Sequence, residues 1–289
     1  MQVKEGNTSL KRTNGSVISL MENTKDIKEK LMENRYPLFE TGRILKKEAL
    51  EVIRDYPRDL LSILYEGYTN GVIRGLRLSS DHENRTLIIG RGLVKLKGEV
   101  YRINKEIKVA YTHTEQRKYL RLKHSEIRDK DWKISEIEAF LSGEEESKDG
   151  EILLCDFLLK SGFVLRDTYL DFADMRSEYD TIHLMNADYA GYEESSFNIE
   201  VLKVYAREYL NTKKCEEIDR TFCYMVLNSM EGIERSIIEN YIAVKEGKAK
   251  GTSLSNKEIY TGLLDILTVA KDPEGHRGTG FSPKKILVD

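Results

Sequence analysis

The chain has 289 residues, room for one large domain or two ordinary ones, and 40% of them are apolar, enough for a buried core. Its 46 Lys and Arg nearly cancel its 49 Asp and Glu, which argues against a dedicated nucleic-acid binder with a basic excess. Three cysteines without CxxC spacing, Cys155, Cys215 and Cys223, exclude a disulfide framework and point to synthesis in a reducing cytoplasm. No apolar run is long enough to span a membrane, and the first residues lack the apolar core of a signal peptide.

Residues 1–36 read as an extended N-terminal arm of polar, mixed-charge composition, with a short helix expected over Asn23–Asn34. Residues 37–173 read as a helical hairpin followed by an antiparallel β domain. Ile44, Leu45, Ala49, Val52 and Ile53 fall near one face of a first helix. Pro57 is expected to end it, because the residue before a proline avoids the α region, and to open a second helix through Leu60, Leu61, Leu64 and Tyr65. Tyr68–Gly71 (YTNG) supplies a turn.

From Val72 to Phe172 the period changes to alternation. Strands are expected in VIRGLRL, TLIIGRGLVKLK, EVYRIN, EIKVAY and KYLRLKH. Ile107, Val109 and Tyr111 share one face, and Glu106, Lys108 and Ala110 the other. Trp132–Leu141 fits a strand or a short helix, Ser142–Glu151 a wet acidic loop, and Ile152–Leu165 a more buried strand in which Cys155 acts as a small hydrophobe. Residues 174–272 read as a helical domain, with an apolar stripe at Ile199, Leu202, Val204, Tyr205 and Tyr209. A second stripe at Ile259, Leu263, Leu264, Ile266 and Leu267 follows a Ser255/Glu258 capping box. Residues 273–289 read as an extended C-terminal tail. The fold class is therefore α+β: two N-terminal helices and a small antiparallel β module, sandwich- or barrel-like, followed by a C-terminal helical bundle.

The Gly-rich stretch around Gly90, Gly92 and Gly98 invites a phosphate-binding reading. It lacks the Gly-Lys-Ser/Thr of a Walker loop, and a strand rather than a helix follows it. RGLVKLKG begins like an RNA-binding motif, but the stacking aromatics are missing. The glycines read instead as backbone devices: Gly90 and Gly92 for a bulge or bend within a strand, Gly98 for the positive φ of a hairpin turn. Val94 and Leu96 then face the core, and Lys95 and Lys97 face water. His82, His113, His124, His183 and His276 are scattered, and DTIH (Asp180–His183) is too little for a metal site. No catalytic residue, cofactor or metal ligand is nominated. Sixteen tyrosines against eight phenylalanines suit half-wet interfaces, and Tyr65, Tyr68, Tyr189, Tyr192 and Phe197 form the candidate interface set.

The segment from Phe39 to Leu78, with its FETGRIL entry, RDYPRD and YTNGVIRG, followed by LIIGRGLVKLKGEVYRI, resembles a family of contractile-tail prophages and phage-tail-like bacteriocins of clostridia and relatives. Leu96 stands where the family pattern has tyrosine. Members sometimes carry a helicase label, for which this chain shows neither a Walker motif nor a second RecA-like half. The resemblance spans roughly residues 39 to 170 and implies a non-enzymatic structural protein at a baseplate, linking it to a tail fibre or receptor-binding protein. The partners implied are other tail and baseplate proteins in a symmetric, multi-copy assembly, with no membrane and no nucleic acid. Such a protein is made in the bacterial cytoplasm without a signal peptide and leaves in a particle released by lysis. Two other readings stay open: a nucleic-acid-associated protein using Arg85, Arg91, Lys95, Lys97 and Arg102 on one wet sheet, and a cell-wall hydrolase.

Overall fold

A computed structural model describes residues 34–113, 115–247 and 253–271. The expected C-terminal tail and nearly all of the expected N-terminal arm, with its helix, lie outside the described residues. Contacts divide the chain at Leu60/Leu61 into two compact units, each described by itself.

The first unit carries most of helix α1 (Lys47–Leu64). Here the two expected helices are one: Pro57 sits inside α1 rather than at a break. Proline removes one backbone donor and crowds the carbonyl four residues earlier, which bends a helix without obliging it to end. Ile44 and Leu45 precede the helix and are exposed, so they do not join its face.

The second unit begins with three antiparallel three-stranded sheets. The first has the order β1 (Gly71–Gly75), β4 (Gly92–Leu96), β5 (Glu99–Ile103). The second orders β2 (Leu78–Asp81), β3 (Thr86–Ile89), β6 (Ile107–Ala110). The third orders β8 (Trp132–Ser142), β7 (Arg117–Asp129), β9 (Glu151–Leu158). VIRGLRL and TLIIGRGLVKLK are therefore not continuous strands: each changes sheet partway along. The two crossings lie side by side, with Leu76 N donating to Arg91 O at 3.0 Å and Gly90 N to Arg77 O at 2.9 Å. A Cβ on Gly92 would stand 2.3 Å from Arg74 O, and one on Gly75 2.3 Å from Arg91 O, so glycine is required where the backbones pass. Gly90 and Gly92 thus sit at a bend where the chain changes sheet, and the register irregularity falls opposite, between Val72 and Arg74 of β1. Gly98 does supply the hairpin turn: Lys97 and Gly98, at φ 50° and 80°, form the two-residue loop between Leu96 and Glu99.

One face of the β1–β4–β5 sheet puts Val94 and Leu96 into the main core, both fully buried as their alternation predicts. The other face carries a smaller apolar cluster of Tyr65, Ile73 and Ala190, flanked by Leu61, Tyr68, Leu93 and Val100. Lys95 points into that second cluster and is 8% exposed, which overturns its assignment to water. Its ammonium donates to Tyr65 O and Tyr68 O, both at 2.8 Å, closing carbonyls just past the end of α1.

Helices α2 (Ile199–Leu210), α3 (Glu217–Asn228), α4 (Arg235–Glu246) and α5 (Asn256–Lys271) follow a short 3₁₀ turn at Ala173–Arg176. They share one core with the sheets: Leu87, Leu120 and Phe157 belong to the same cluster as Leu202, Phe222 and Leu263. Asn198 Oδ1 accepts Glu200 N at 2.9 Å to start α2, and Ser255 and Glu258 exchange the expected capping bonds to start α5. The observed class is α+β, with antiparallel sheets followed by C-terminal helices.

Candidate protein-docking surfaces

The polar groups of the interior come first, since an active site would have to be built from them. Asp156 (β9), Arg117 (β7) and His183 converge from three separate segments. Arg117 Nη1 pairs with Asp156 Oδ2 and lies 3.1 Å from His183 Nδ1, while His183 Nε2 lies 2.6 Å from Ser177 O. That carbonyl takes a proton from Nε2, while Nδ1 faces both the Arg117 guanidinium and Asp156 Oδ2, the latter at 3.3 Å. Ser177 Oγ is turned away and donates to Asp174 at 2.7 Å, so no nucleophile stands on the imidazole. The cluster ties residues 177–183 to the sheet. DTIH gave no hint of it, because its partners lie far away in sequence.

Neighbouring Asp174 is gripped by Arg166 through two 2.9 Å hydrogen bonds. Arg166, with Ser177 and the Leu170 amide, holds its carboxyl well below the usual carboxylate range against the opposing effect of burial. Cys155 is fully buried, and burial first, then the Asp156 charge, pushes its thiol well above the ordinary value. It is the small hydrophobe its setting predicted and not a reactive thiol. Among the described residues no group of three or more His, Cys, Asp or Glu could hold a metal ion.

The candidate interface tyrosines come together in part. Tyr65 and Tyr68 meet edge to face at 5.3 Å between ring centroids, and Tyr68 and Tyr192 at 6.3 Å. Tyr65 donates to Glu231 at 2.8 Å, and burial, aided by that carboxylate, pushes its phenol up to about 12. The strip Asp188–Glu193 lies along β1 and delivers Tyr192: Ala190 N donates to Val72 O at 3.0 Å, and Glu193 N to Gly67 O at 2.9 Å. A Cβ on Gly67 would stand 2.9 Å from the Tyr192 ring, so glycine there lets the ring lie flat on the backbone. Tyr192 is exposed and Tyr68 half-buried, whereas Tyr189 is buried beneath the strip and Phe197 lies wholly in the main core.

The basic residues weighed for nucleic acid do not share a wet sheet. Arg85 lies at a turn with φ 49°, Arg91 at the crossing, Lys97 in the hairpin loop, and Lys95 is buried. Only Arg102 is an exposed cation within a strand among these five.

One feature escapes the sequence pattern. β7 pairs with β9 only from Arg117 to Lys123, yet β7 and β8 stay paired out to Asp129 and Trp132. From His124 outward they form a two-stranded arm. Residues directly opposite share a face, so Ile127, Ile134 and Trp132 line one side, while Arg128, Lys133 and Glu126 line the other. On that polar side Glu126 pairs with Lys133 at 2.8 Å and Arg128 at 3.4 Å. On the apolar side Trp132, the chain's one tryptophan, is 73% exposed. The alternation of Ile127, Asp129, Trp132 and Ile134 about a two-residue turn was the available signal; the helix-compatible SEIEAF hid it.

No helix among the described residues is long and apolar enough to cross a membrane. No protein-family model matches the chain, and no curated protein matches it. Among solved structures, it is similar to a chain of the type VI secretion system TssK–TssF–TssG baseplate subcomplex, at 7% identity and a TM-score of 0.39, over 83% of this chain and 99% of that one. It is also similar to the crystal structure of TssK, at 7% identity and a TM-score of 0.36, over 82% of this chain and 71% of that one. A chain of the baseplate complex from the type VI secretion system aligns at 9% identity and a TM-score of 0.33, over 82% and 69%. Overlaps this shallow leave the functional reading to the residues of this chain.

Proposed function

We propose that this chain is a non-enzymatic structural component of a contractile phage tail or tail-like bacteriocin, placed at the baseplate and joining it to a fibre or receptor-binding protein. The observation that carries the reading is the two-stranded β7–β8 arm, a paired ribbon that offers Trp132, Ile127 and Ile134 to a partner. A lone two-stranded ribbon is marginal in water, and large apolar side chains on its outer face are what a protein interface uses. The pattern over residues 39–170 supplies the system: FETG entry, RDYPRD, YTNGVIRG and the lysine-bearing hairpin resemble tail-protein sequences. The interior supports a structural role, since its buried charges are engaged in holding loops. On this reading the chain is made in the bacterial cytoplasm and leaves in a particle on lysis, with other baseplate proteins and the fibre as partners.

The test is electron microscopy of negatively stained particles from a strain lacking the gene. Sheath and tube without a complete baseplate or without fibres is the expected result. Particles with baseplate and fibres intact would overturn the proposal.

A further inference from the structure

Helix α1 is 18 residues long and buries none of them. Leu50, Ile53, Leu60 and Leu64 are all exposed, and with Pro57 they recur at alternating intervals of three and four residues. Tyr56 and Ile63, also exposed, lie immediately beside that line. A helix of this length, with proline in its interior, is marginal in water unless its apolar stripe is covered.

We propose that α1 is a self-association helix whose stripe packs against α1 of further copies of this chain. The three-four alternation is the spacing by which one helix seats its side chains between those of a like helix. The charges fit a like partner. Three cations, Lys47, Arg54 and Arg58, stand against four carboxylates, Glu48, Glu51, Asp55 and Asp59. Two of the cations are already paired within the helix, Lys47 with Glu51 at 3.5 Å and Arg54 with Asp55 at 2.7 Å. With a net charge of only −1 per helix, identical copies meet with little repulsion, and no strongly charged partner is called for. A lipid surface would want a polar face rich in Lys and Arg, which this near-balanced face is not. The extent is in keeping: six large side chains, Leu50, Ile53, Tyr56, Leu60, Ile63 and Leu64, are each at least 43% exposed, where a standard interface takes roughly 800 Å² from each partner.

The proposal names a surface for the multi-copy assembly of the functional reading, yet it rests on this chain alone. A monomer in solution would remove the seam and leave the particle experiment to decide the baseplate.

The experiment is sedimentation of the full chain from about 1 to 100 μM, a range that brackets micromolar self-association. The wild type is expected at a whole multiple of the chain mass, and the double variant Leu50→Glu/Leu60→Glu at the monomer mass. Tyr224→Glu, which changes an exposed aromatic on α3, is expected to keep the wild-type multiple. A wild type that is monomeric throughout, or a double variant that keeps the multiple, overturns the proposal. Because α1 buries no side chain, the double variant should melt as the monomeric body does. Should it misfold instead, Ile53→Cys in the otherwise unchanged helix decides, by an oxidative cross-link between copies that forms or does not. Binding to anionic phospholipid vesicles without self-association would identify a lipid surface as the occupant and equally overturn it.

Discussion

Asp219 and Trp132 lie at opposite extremes of this molecule. Asp219, on α3, is fully buried, and its carboxylate accepts from Tyr241 at 2.8 Å, Tyr209 at 3.1 Å, Lys245 at 3.1 Å and the Glu216 amide at 2.9 Å. Around it Phe222 stacks on Tyr241 at 4.1 Å, and since the Tyr241 hydroxyl proton goes to Asp219, Tyr205 donates to the Tyr241 oxygen at 2.8 Å. Trp132, on the arm, has an ion-paired ribbon behind it and solvent in front. Where water is excluded, each oxygen of that carboxylate has named donors, because an unmet charge there would cost several kcal/mol. On the arm, apolar surface is left uncovered by the described residues, and in the proposed role a partner covers it. In the proposed role, stability and docking are therefore carried by different side chains, and each should be changeable without the other.

The largest expected effect comes from removing the acceptor at the buried extreme. Asp219→Ala leaves two phenols and an ammonium without their carboxylate and should cost about 3–5 kcal/mol, read from urea unfolding. A loss below about 1 kcal/mol would show that the network contributes little beyond packing. Arg121 is the next test. Its guanidinium, fully buried, holds the acidic loop by donating to Ser147 Oγ, to Glu144 O at 2.8 Å and to Glu145 O at 2.5 Å. Arg121→Met should cost about 2–3 kcal/mol, with faster hydrogen exchange confined to residues 142–150. Unchanged exchange there would show that the loop is held by something else.

Arg121 and Lys95 also show where sequence reading stops. Val94 and Leu96 were legible because their two-residue period repeats locally. So were the Lys97–Gly98 hairpin and the Ser255/Glu258 cap, each written within a few neighbouring residues. Lys95 alternates correctly with them but points at apolar side chains, because its acceptors, the Tyr65 and Tyr68 carbonyls, arrive from 30 and 27 residues away. Arg121 likewise sits in an alternating strand, and its acceptors belong to a loop that looks merely wet. Pro57 points to a break because proline's local cost is real, yet one lost bond does not end the helix. Of the interface set, Tyr65, Tyr68 and Tyr192 do converge, while Phe197 shows that an aromatic in a polar loop can still be core. Local alternation around Trp132 signals a hairpin, but its exposure depends on where β9 stops pairing, which no local pattern records.

Lys95→Met tests the lysine directly. It keeps the apolar stem but strips a charged donor from two carbonyls, and should cost about 1.5–3 kcal/mol. A neutral result would mean that water or another donor takes its place. A smaller effect, and a pH-dependent one, belongs to the Arg166–Asp174 pair. Its carboxyl ionises more readily folded than unfolded, so the pair's contribution is present above about pH 4 and fades as pH falls further. With Arg166 37% exposed on its side chain, solvent screening limits the contribution to about 1 kcal/mol. Asp174→Asn should therefore lower stability at neutral pH and narrow its gap to the wild type on acidification. A gap that stays constant from pH 7 to about pH 2 would show that the loss is packing rather than charge.

The smallest stability effect is the most informative about function. Trp132→Ala removes the largest side chain of the arm's apolar face, yet that ring touches mostly water, so the melting behaviour should stay within about 0.5 kcal/mol of wild type. The same substitution should reduce completed baseplates or attached fibres in particles made with the variant chain, because an exposed aromatic seated in a partner's pocket is where interface energy concentrates. The two readouts together are decisive. Lost assembly with unchanged stability places Trp132 in an interface, whereas a loss of stability matching the loss of assembly would make the arm part of the fold. Normal assembly with normal stability would transfer the docking role to the exposed tyrosine patch at Tyr68 and Tyr192, where Tyr192→Ala is the corresponding test.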